Sequence, residues 1–250
     1  MRKEIMVPLA AVFFFSLSAI TAAFANENEK LNTVFEAEQD VTGDGQPDQI
    51  YIKGLPYDEG AGFLKEVKLE IIATNGKTYT KDLEPGYEPS IVFQDLNHDQ
   101  VKDMLIMIPT GGSGGLSHYY LYTLKDFNLK DLGIPEGLTT NSQFLDGYKA
   151  KLEIQNTGQT FEFDLKDRKE EYDRLGLYQN GKLNEPLELM IDPYGSMKPV
   201  QSENGQYGLR AVQGISGAYH ADGIGYIESA WLYKNGKWEL QDVKVMKNLK

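Results

Sequence analysis

The chain contains no cysteine, and its 250 residues include only three histidines and two tryptophans. The missing thiols exclude disulfide bonds, a lipid-modified cysteine and cysteine-based zinc sites. The histidines, which are His98, His118 and His220, form no His-x-x-x-His pair of the kind that binds zinc. Stability must therefore come from the apolar core or from another bound ion.

Basic residues are also scarce, because 25 lysines and arginines stand against 37 aspartates and glutamates, for a formal net charge of −12 at pH 7. A chain of this charge is repelled by nucleic-acid phosphates and by anionic membranes. The balance argues against nucleic-acid binding. It is compatible with a soluble exported protein in a calcium-containing medium.

The N-terminus has the three parts of a secretory signal peptide. Arg2 and Lys3 precede an apolar run from Met6 to about Ile20, and Ala23-Phe24-Ala25 follows it. A basic start, an apolar core and a small-x-small end predict that residues 1–25 are a signal peptide cleaved after Ala25, which leaves no membrane span. The alternative is a membrane anchor that is retained.

Two nine-residue stretches, residues 40–48 (loop 1) and 95–103 (loop 2), place oxygen-bearing side chains at positions 1, 3, 5 and 9. A tight loop turns such side chains inward, and position 7 adds a main-chain carbonyl. Calcium is a hard cation that prefers this all-oxygen ligand set. The sequence therefore predicts two Ca²⁺ sites. Their ligands are Asp40, Thr42, Asp44, Gln46 (main chain) and Asp48 in loop 1, and Asp95, Asn97, Asp99, Val101 (main chain) and Asp103 in loop 2.

The two loops are not EF-hands and are not identical. An EF-hand needs glutamate at position 12, where this chain has Tyr51 and Ile106, and β-like segments follow both loops. Position 6, where φ > 0 is expected, is Gly45 in loop 1 but Gln100 in loop 2. The alternative for both is an Asp/Asn/Gly-rich turn without metal.

Both loops, with the apolar segments Gln49–Ile52 and Met104–Met107 that follow them, resemble the FG-GAP/VCBS-like repeat family. The resemblance covers roughly residues 36–124. It implies calcium-binding loops between strands of β-propeller blades, as in extracellular adhesion or ligand-binding proteins. Thrombospondin-type and dockerin loops share the spacing, so the motif specifies the metal better than the fold.

Most of the remaining chain alternates apolar and polar residues over strand-length runs, which predicts an all-β, mostly antiparallel protein. The continuously apolar run 104–108 predicts a strand buried on both faces. At the C-terminus, strands 226–234 and 237–245 flank Asn235-Gly236, a hairpin turn that pairs Tyr233 with Trp238 and Trp231 with Leu240. Residues 166–175 are the best helix candidate.

The two loops begin 55 residues apart, which is close to the length of one propeller blade. This spacing favours partial or degenerate β-propeller-like repeats. A β-sandwich with a small C-terminal β-unit is the alternative. The predicted domains are residues 26–140, with both loops, and 141–250, which is β-rich; one continuous domain over both is also compatible with the sequence.

These features favour an exported calcium-binding β protein that acts as an interaction or adhesion module for an extracellular protein or cell-surface glycan. No residue stands out as catalytic, and an enzyme is the less favoured reading. The first alternative is a secreted hydrolase of polysaccharide or ester, with a cleft near Gly111–Gly115 and His220–Asp222; the glycine segment matches Gly-x-Ser-x-Gly but lacks the helix that a nucleophile elbow needs. The second is a structural envelope protein whose loops bind no metal. Trp231 and Trp238 serve either as hairpin core or as a sugar-stacking platform.

Overall fold

The computed structural model describes residues 30–112, 114–202 and 204–247, and most of this part of the chain is antiparallel β-structure. The predicted all-β fold is confirmed. The predicted signal peptide, residues 1–25, and Ser113 lie outside the described residues. The described residues from Asn32 onward form one compact unit, and none of their helices is long and apolar enough to cross a membrane.

Two sheets carry the predicted loops. Sheet A has the order β1-β2-β3-β4, with β5 added beside β3, and sheet B has the order β6-β7-β8-β9. The strands of sheet A are β1 (Asn32–Gln39), β2 (Asp48–Pro56), β3 (Phe63–Ile72), β4 (Thr78–Leu83) and β5 (Gly86–Tyr87). Those of sheet B are β6 (Ser90–Gln94), β7 (Asp103–Pro109), β8 (Ser117–Thr123) and β9 (Lys130–Asp131).

The C-terminal half adds sheets C, D and E, in which consecutive strands also pair antiparallel. Sheet C comprises β10 (Thr140–Leu145), β11 (Lys149–Ile154) and β12 (Gln159–Asp164), and sheet D comprises β13 (Tyr178–Gln179) and β14 (Lys182–Leu183). Sheet E comprises β15 (Met190–Gln201), β16 (Tyr207–Ser216), β17 (Gly223–Lys234) and β18 (Lys237–Lys247). Apart from β5, which pairs with β3, neighbouring strands in the sequence are therefore neighbours in each sheet of the described chain.

Strand β7 is buried on both faces, as its unbroken apolar sequence predicts. Ile106 and Ile108 belong to an apolar cluster shared with sheet A, whereas Leu105 belongs to a second cluster that includes Leu152 of sheet C and Leu209 of sheet E. Sheet B therefore lies between sheet A and the C-terminal half. The second cluster also crosses the predicted domain boundary at residues 140/141.

The C-terminal hairpin has the predicted register. Tyr233 pairs with Trp238 and Trp231 with Leu240, and the rings of Tyr233 and Trp238 meet edge to face with centroids 5.2 Å apart. Asn235 and Gly236 have φ values of 50° and 81°, as a two-residue turn that matches strand twist requires.

The predicted helix at 166–175 is present but shorter. A single 3₁₀ turn at Lys166–Arg168 leads into α1 (Lys169–Arg174). Tyr172 is fully buried, whereas most of its neighbours are charged and at least partly exposed. Tyr172 therefore packs this short helix into the apolar core.

Replacing Ile106 with alanine should destabilise the protein by about 2–5 kcal/mol, because the side chain is fully buried between sheets A and B. Urea unfolding followed by circular dichroism measures the change. Ile72→Ala in β3 is the matched control. Because Ile72 is 39% exposed, its substitution should lower the free energy of unfolding by well under half as much. Equal losses would contradict burial of Ile106 between sheets A and B.

Candidate metal-binding loops

Loops 1 and 2 occupy equivalent places in their sheets. Loop 1 joins β1 to β2, and loop 2 joins β6 to β7, which are the first and second strands of sheets A and B. The aspartate at position 9 of each loop, Asp48 or Asp103, is the first residue of the second strand. The repeat that was predicted from sequence is therefore a repeat of structure.

The backbone follows the same path in both loops. Positions 4 and 6 have left-handed conformations, with φ of 81° and 85° at Gly43 and Gly45, and 63° and 74° at His98 and Gln100. Glycine adopts this conformation without strain, whereas histidine and glutamine do so at a cost. Loop 2 therefore keeps the loop 1 conformation although its sequence does not favour it.

The position 9 carboxylates close the loops from inside. Oδ2 of Asp48 accepts the N–H groups of Val41 and Thr42 at 3.0 and 3.2 Å. Oδ2 of Asp103 accepts the N–H groups of positions 2 and 3 of loop 2 at 2.8 and 3.1 Å. Both aspartates are at most 1% exposed. Their inward orientation follows from these charge-assisted hydrogen bonds.

The position 1 carboxylates hold the opposite side of each loop. Asp40 accepts the N–H groups of Gly43 and Gly45 at 2.7 and 2.9 Å. Asp95 accepts the N–H groups of positions 5 and 6 of loop 2 at 3.1 and 3.0 Å. These hydrogen bonds from main-chain N–H groups to a side chain of the same loop stabilise the loop whether or not an ion is bound.

In loop 1, the position 5 and position 9 carboxylates meet at Thr74, which lies just beyond β3. Oδ1 of Asp44 accepts the N–H of Gln46 at 2.9 Å, and the Thr74 hydroxyl donates to Oδ2 of Asp44. The Thr74 N–H donates to Oδ1 of Asp48 at 3.0 Å. The hydrogen bond from Thr74, followed by that from Gln46, lowers the pKa of Asp44 below its usual value.

Loop 2 arranges its carboxylates around an amide and an ammonium group. The Asn97 side-chain nitrogen donates to Oδ2 of Asp99 at 3.0 Å and to Oδ1 of Asp103 at 3.3 Å. Lys125 Nζ lies 2.6 Å from the main-chain oxygen of Asp99 and 3.9 Å from its Oδ1. Two positively polarised groups therefore face these carboxylates. The sequence patterns gave no indication of Thr74 or Lys125.

Asp103 is the most strongly perturbed carboxyl of the two loops. Burial raises its pKa from 3.8 to about 6, although the N–H groups of Leu96 and Asn97 act in the opposite direction. Its ionised form is therefore held at an energetic cost, which a nearby cation would offset.

The two loops lie side by side at one edge of sheets A and B. Gly43 packs against Val101, since a Cβ on Gly43 would come within 2.6 Å of Cγ2 of Val101. The main-chain oxygen of Thr42 accepts the N–H of Asp126, in the turn after β8, at 3.0 Å. All ten predicted ligand residues are thus gathered along one edge.

Within residues 30–112, 114–202 and 204–247, no group of three or more histidine, aspartate or glutamate side chains is arranged to hold a metal ion. The hydrogen bonds of the loops account for this. Each position 1, 5 and 9 carboxylate directs at least one oxygen to an N–H group of its own loop.

The segment His220–Asp222, which the hydrolase alternative places near a cleft, contains one half of a buried ion pair. The Asp222 carboxylate accepts hydrogen bonds from Arg168 Nε at 2.7 Å, from the Tyr172 hydroxyl and from the Ala218 N–H. His220 is largely exposed and lies 3.3 Å from Asp192. Asp222 is therefore committed to a structural contact. Sequence reasoning missed this contact because Arg168 and Asp222 are 54 residues apart.

The two tryptophans border a pocket of about 370 Å³. Trp231 is 8% exposed and donates to Ser229 Oγ at 2.8 Å, whereas Trp238 is partly exposed and donates to the carbonyl of Gly133 at 3.0 Å. Glu136 and Asn156 also line the pocket. Trp231 thus belongs to the core, and Trp238 presents an oriented indole beside polar groups.

Comparison with known proteins gives matches that name no activity for this chain. Residues 138–246 match the family model described as the YybI C-terminal domain. The chain is similar to the uncharacterized protein YybI of Bacillus subtilis (strain 168), at 28% identity over 202 residues, which cover 76% of this chain and 75% of the relative.

A solved structure, the exotype rhamnogalacturonan lyase YesX, aligns with 84% of this chain at 15% identity and a TM-score of 0.35. The chain spans about a third of that enzyme's length, since the alignment covers 32% of it. A likeness of this degree defines neither the fold nor the function of the chain.

Replacing Asp103 with asparagine tests the cost of the buried charge in metal-free buffer. The folded pKa of about 6 exceeds the unfolded value of 3.8, so the folded state binds the proton more tightly and wild-type stability falls as pH rises through this interval. The free energy of unfolding should fall by about 2–3 kcal/mol over this interval. The Asp103→Asn variant should lack this pH-dependent fall.

Urea unfolding at pH 4, 5, 6 and 7 measures the free energy of unfolding of both proteins. The difference between variant and wild type at each pH isolates the contribution of the Asp103 carboxyl. Asp82→Asn is the control, because the Asp82 side chain is 86% exposed. A difference between Asp103→Asn and wild type that does not change with pH would refute the assignment.

Proposed function

We propose that the protein is an exported calcium-binding β protein that acts as an interaction module for a cell-surface glycan or protein. The observation that carries the proposal is the repeated loop. Two stretches of different sequence share one backbone path, place carboxylates at positions 1, 5 and 9, and lie together at one edge of neighbouring sheets.

The chemistry of the loops supports calcium rather than a softer metal. Their side-chain ligand candidates are carboxylates, an amide and a hydroxyl, and the chain has no cysteine. Oxygen-only donor sets suit Ca²⁺, whereas zinc and copper prefer imidazole or thiolate. Asp40, Asp44 and Asp48, with Thr42 and the main chain of Gln46, would hold an ion in loop 1. The corresponding loop 2 residues would be Asp95, Asn97, Asp99, Asp103 and the main chain of Val101.

Bound calcium would act on structure rather than on chemistry. It would neutralise carboxylates that sit close together in a chain with net charge −12. An ion that binds only the folded state stabilises that state by mass action. Ordered loops at one edge of sheets A and B would then present a fixed surface to a partner.

The pocket beside Trp238 supports a glycan as the partner. A partly exposed indole, held by its hydrogen bond to Gly133, offers an aromatic face next to Glu136 and Asn156. Ligand sites commonly combine such an apolar surface with a few fixed polar groups.

A structural protein without metal is the second candidate, and the contacts of loop 2 favour it. The Asp99 and Asp103 carboxylates of loop 2 already accept hydrogen bonds from the Asn97 amide, and Lys125 forms an ion pair with Asp99. The hydrolase alternative receives less support, since Asp222 is paired with Arg168 inside the fold.

Calcium should raise the melting temperature of the protein, and a chelator should reverse the rise. At 100 times the dissociation constant, one bound ion adds about 2.7 kcal/mol, or roughly 5–11 °C for a chain of this size. Asp44→Ala should abolish most of the rise. Differential scanning calorimetry with calcium and with chelator measures both effects.

Asp58→Ala is the control for this experiment, because Asp58 is an exposed acid in the β2–β3 connection and should leave the calcium response intact. If wild type shows no shift at millimolar calcium, the metal part of the proposal is wrong.

Fluorescently labelled protein should bind cell surfaces more strongly in calcium than in chelator, and Trp238→Ala should reduce that binding without changing the calcium-induced melting shift. Flow cytometry measures the binding. Periodate treatment of the cells, which oxidises glycan diols, should remove it if the partner is a glycan, whereas protease treatment should remove it if the partner is a protein. Calcium-independent binding, or turnover of a polysaccharide or ester that His220→Ala abolishes, would contradict the proposal.

A further inference from the structure

Loops 1 and 2 also differ in the side chain that reaches position 5 from the turn after the third strand of each sheet. In loop 1 this is Thr74, whose hydroxyl donates to Asp44. In loop 2 it is Lys125, whose Nζ lies 2.6 Å from the carbonyl oxygen and 3.9 Å from Oδ1 of Asp99. A neutral donor therefore faces one loop and a full positive charge faces the other.

Thr74 and Lys125 are equivalent positions of the structural repeat. β3 and β8 are the third strands of their sheets, and each of the two residues follows the end of its strand by two positions. The two side chains therefore enter the loops from the same side.

Loop 2 is accessible to ions, because it borders an open pocket of about 210 Å³ lined by Asn97, Asp99 and Lys125. The Lys125 and Asp99 side chains are 38% and 26% exposed, so water and ions can reach them. The difference from Thr74 is electrostatic. A fixed positive charge at about 4 Å should weaken divalent-cation binding roughly tenfold or more.

We propose that Lys125 is the internal counter-cation of loop 2, so that loop 1 takes up calcium and loop 2 keeps its shape without it. Lys125 Nζ donates to the main-chain oxygen of Asp99, and the Asn97 amide donates to the carboxylates of Asp99 and Asp103. Loop 1 has the neutral Thr74 hydroxyl at the equivalent place, so no positive charge competes with an ion there. The calcium arm of this inference rests on the proposed function.

Calcium titration by isothermal calorimetry tests the inference on two variants, in which Lys125 is replaced by threonine and Thr74 by lysine. Wild type should take up one ion per chain, and Lys125→Thr should take up two. Thr74→Lys should weaken the loop 1 site roughly tenfold or more. Lys130→Thr is the matched control, because Lys130 lines the same pocket from β9 and carries the same charge; its stoichiometry should stay at one.

Two equal sites in wild type would overturn the inference while leaving the calcium proposal intact. So would a Lys125→Thr variant that still binds one ion, or an equal gain in Lys130→Thr. Far-ultraviolet circular dichroism identifies any variant that fails to fold, and the more conservative Lys125→Met then replaces Lys125→Thr in the titration.

A second readout needs no calcium. In chelator, Lys125→Thr should lower the melting temperature more than Lys130→Thr does, by about 2 °C or more, because it removes the counter-charge of Asp99. Equal melting temperatures would overturn the inference. If wild type binds no calcium at all, the proposed calcium function fails, and this comparison alone decides the role of Lys125.

Discussion

A buried carboxylate that accepts two main-chain N–H groups sets the geometry of the first two sheets. Asp48 and Asp103 each begin a second strand and are almost fully shielded from water. Their hydrogen bonds close the loop, and each then pairs with the last residue of the preceding strand, Gln39 or Gln94. The aspartate thus fixes both the loop and the strand register, because a shift of one residue would turn β7 over and misplace its side chains.

Sheets A and B also meet at the two loops. Gly43 packs against Val101, and the Asp126 N–H donates to the main-chain oxygen of Thr42. β7 then lies between two apolar clusters, which accounts for its unbroken apolar run from Met104 to Ile108. Within this common frame the two loops have different electrostatic surroundings, since Thr74 approaches one and Lys125 the other. Loops with similar backbone paths can therefore have different charged neighbours.

Features encoded by neighbouring residues were predictable from the sequence. The loop positions, the doubly buried run 104–108 and the register around Asn235-Gly236 depend on local spacing, and the structure confirms the last two and the shared path of the loops. The helix was predicted too long because its first turn is 3₁₀. Thr74, Lys125 and the pairing of Arg168 with Asp222 could not be predicted, since these contacts join segments that only folding brings together.

The Arg168–Asp222 ion pair anchors α1 to the turn between β16 and β17, with both side chains at most 8% exposed. The Tyr172 hydroxyl also donates a hydrogen bond to Asp222, and Arg168 Nη2 donates one to the carbonyl of Gly223 at 3.0 Å. Loss of Arg168 would leave the Asp222 carboxylate buried without a counter-charge, at a cost of about 3–5 kcal/mol. Loss of Asp222 would still leave Arg168 paired with Asp167, whose Oδ2 lies 2.7 Å from Nη1. The dependence is therefore one-sided, and descendants of this chain that lose the arginine should lose the buried aspartate as well.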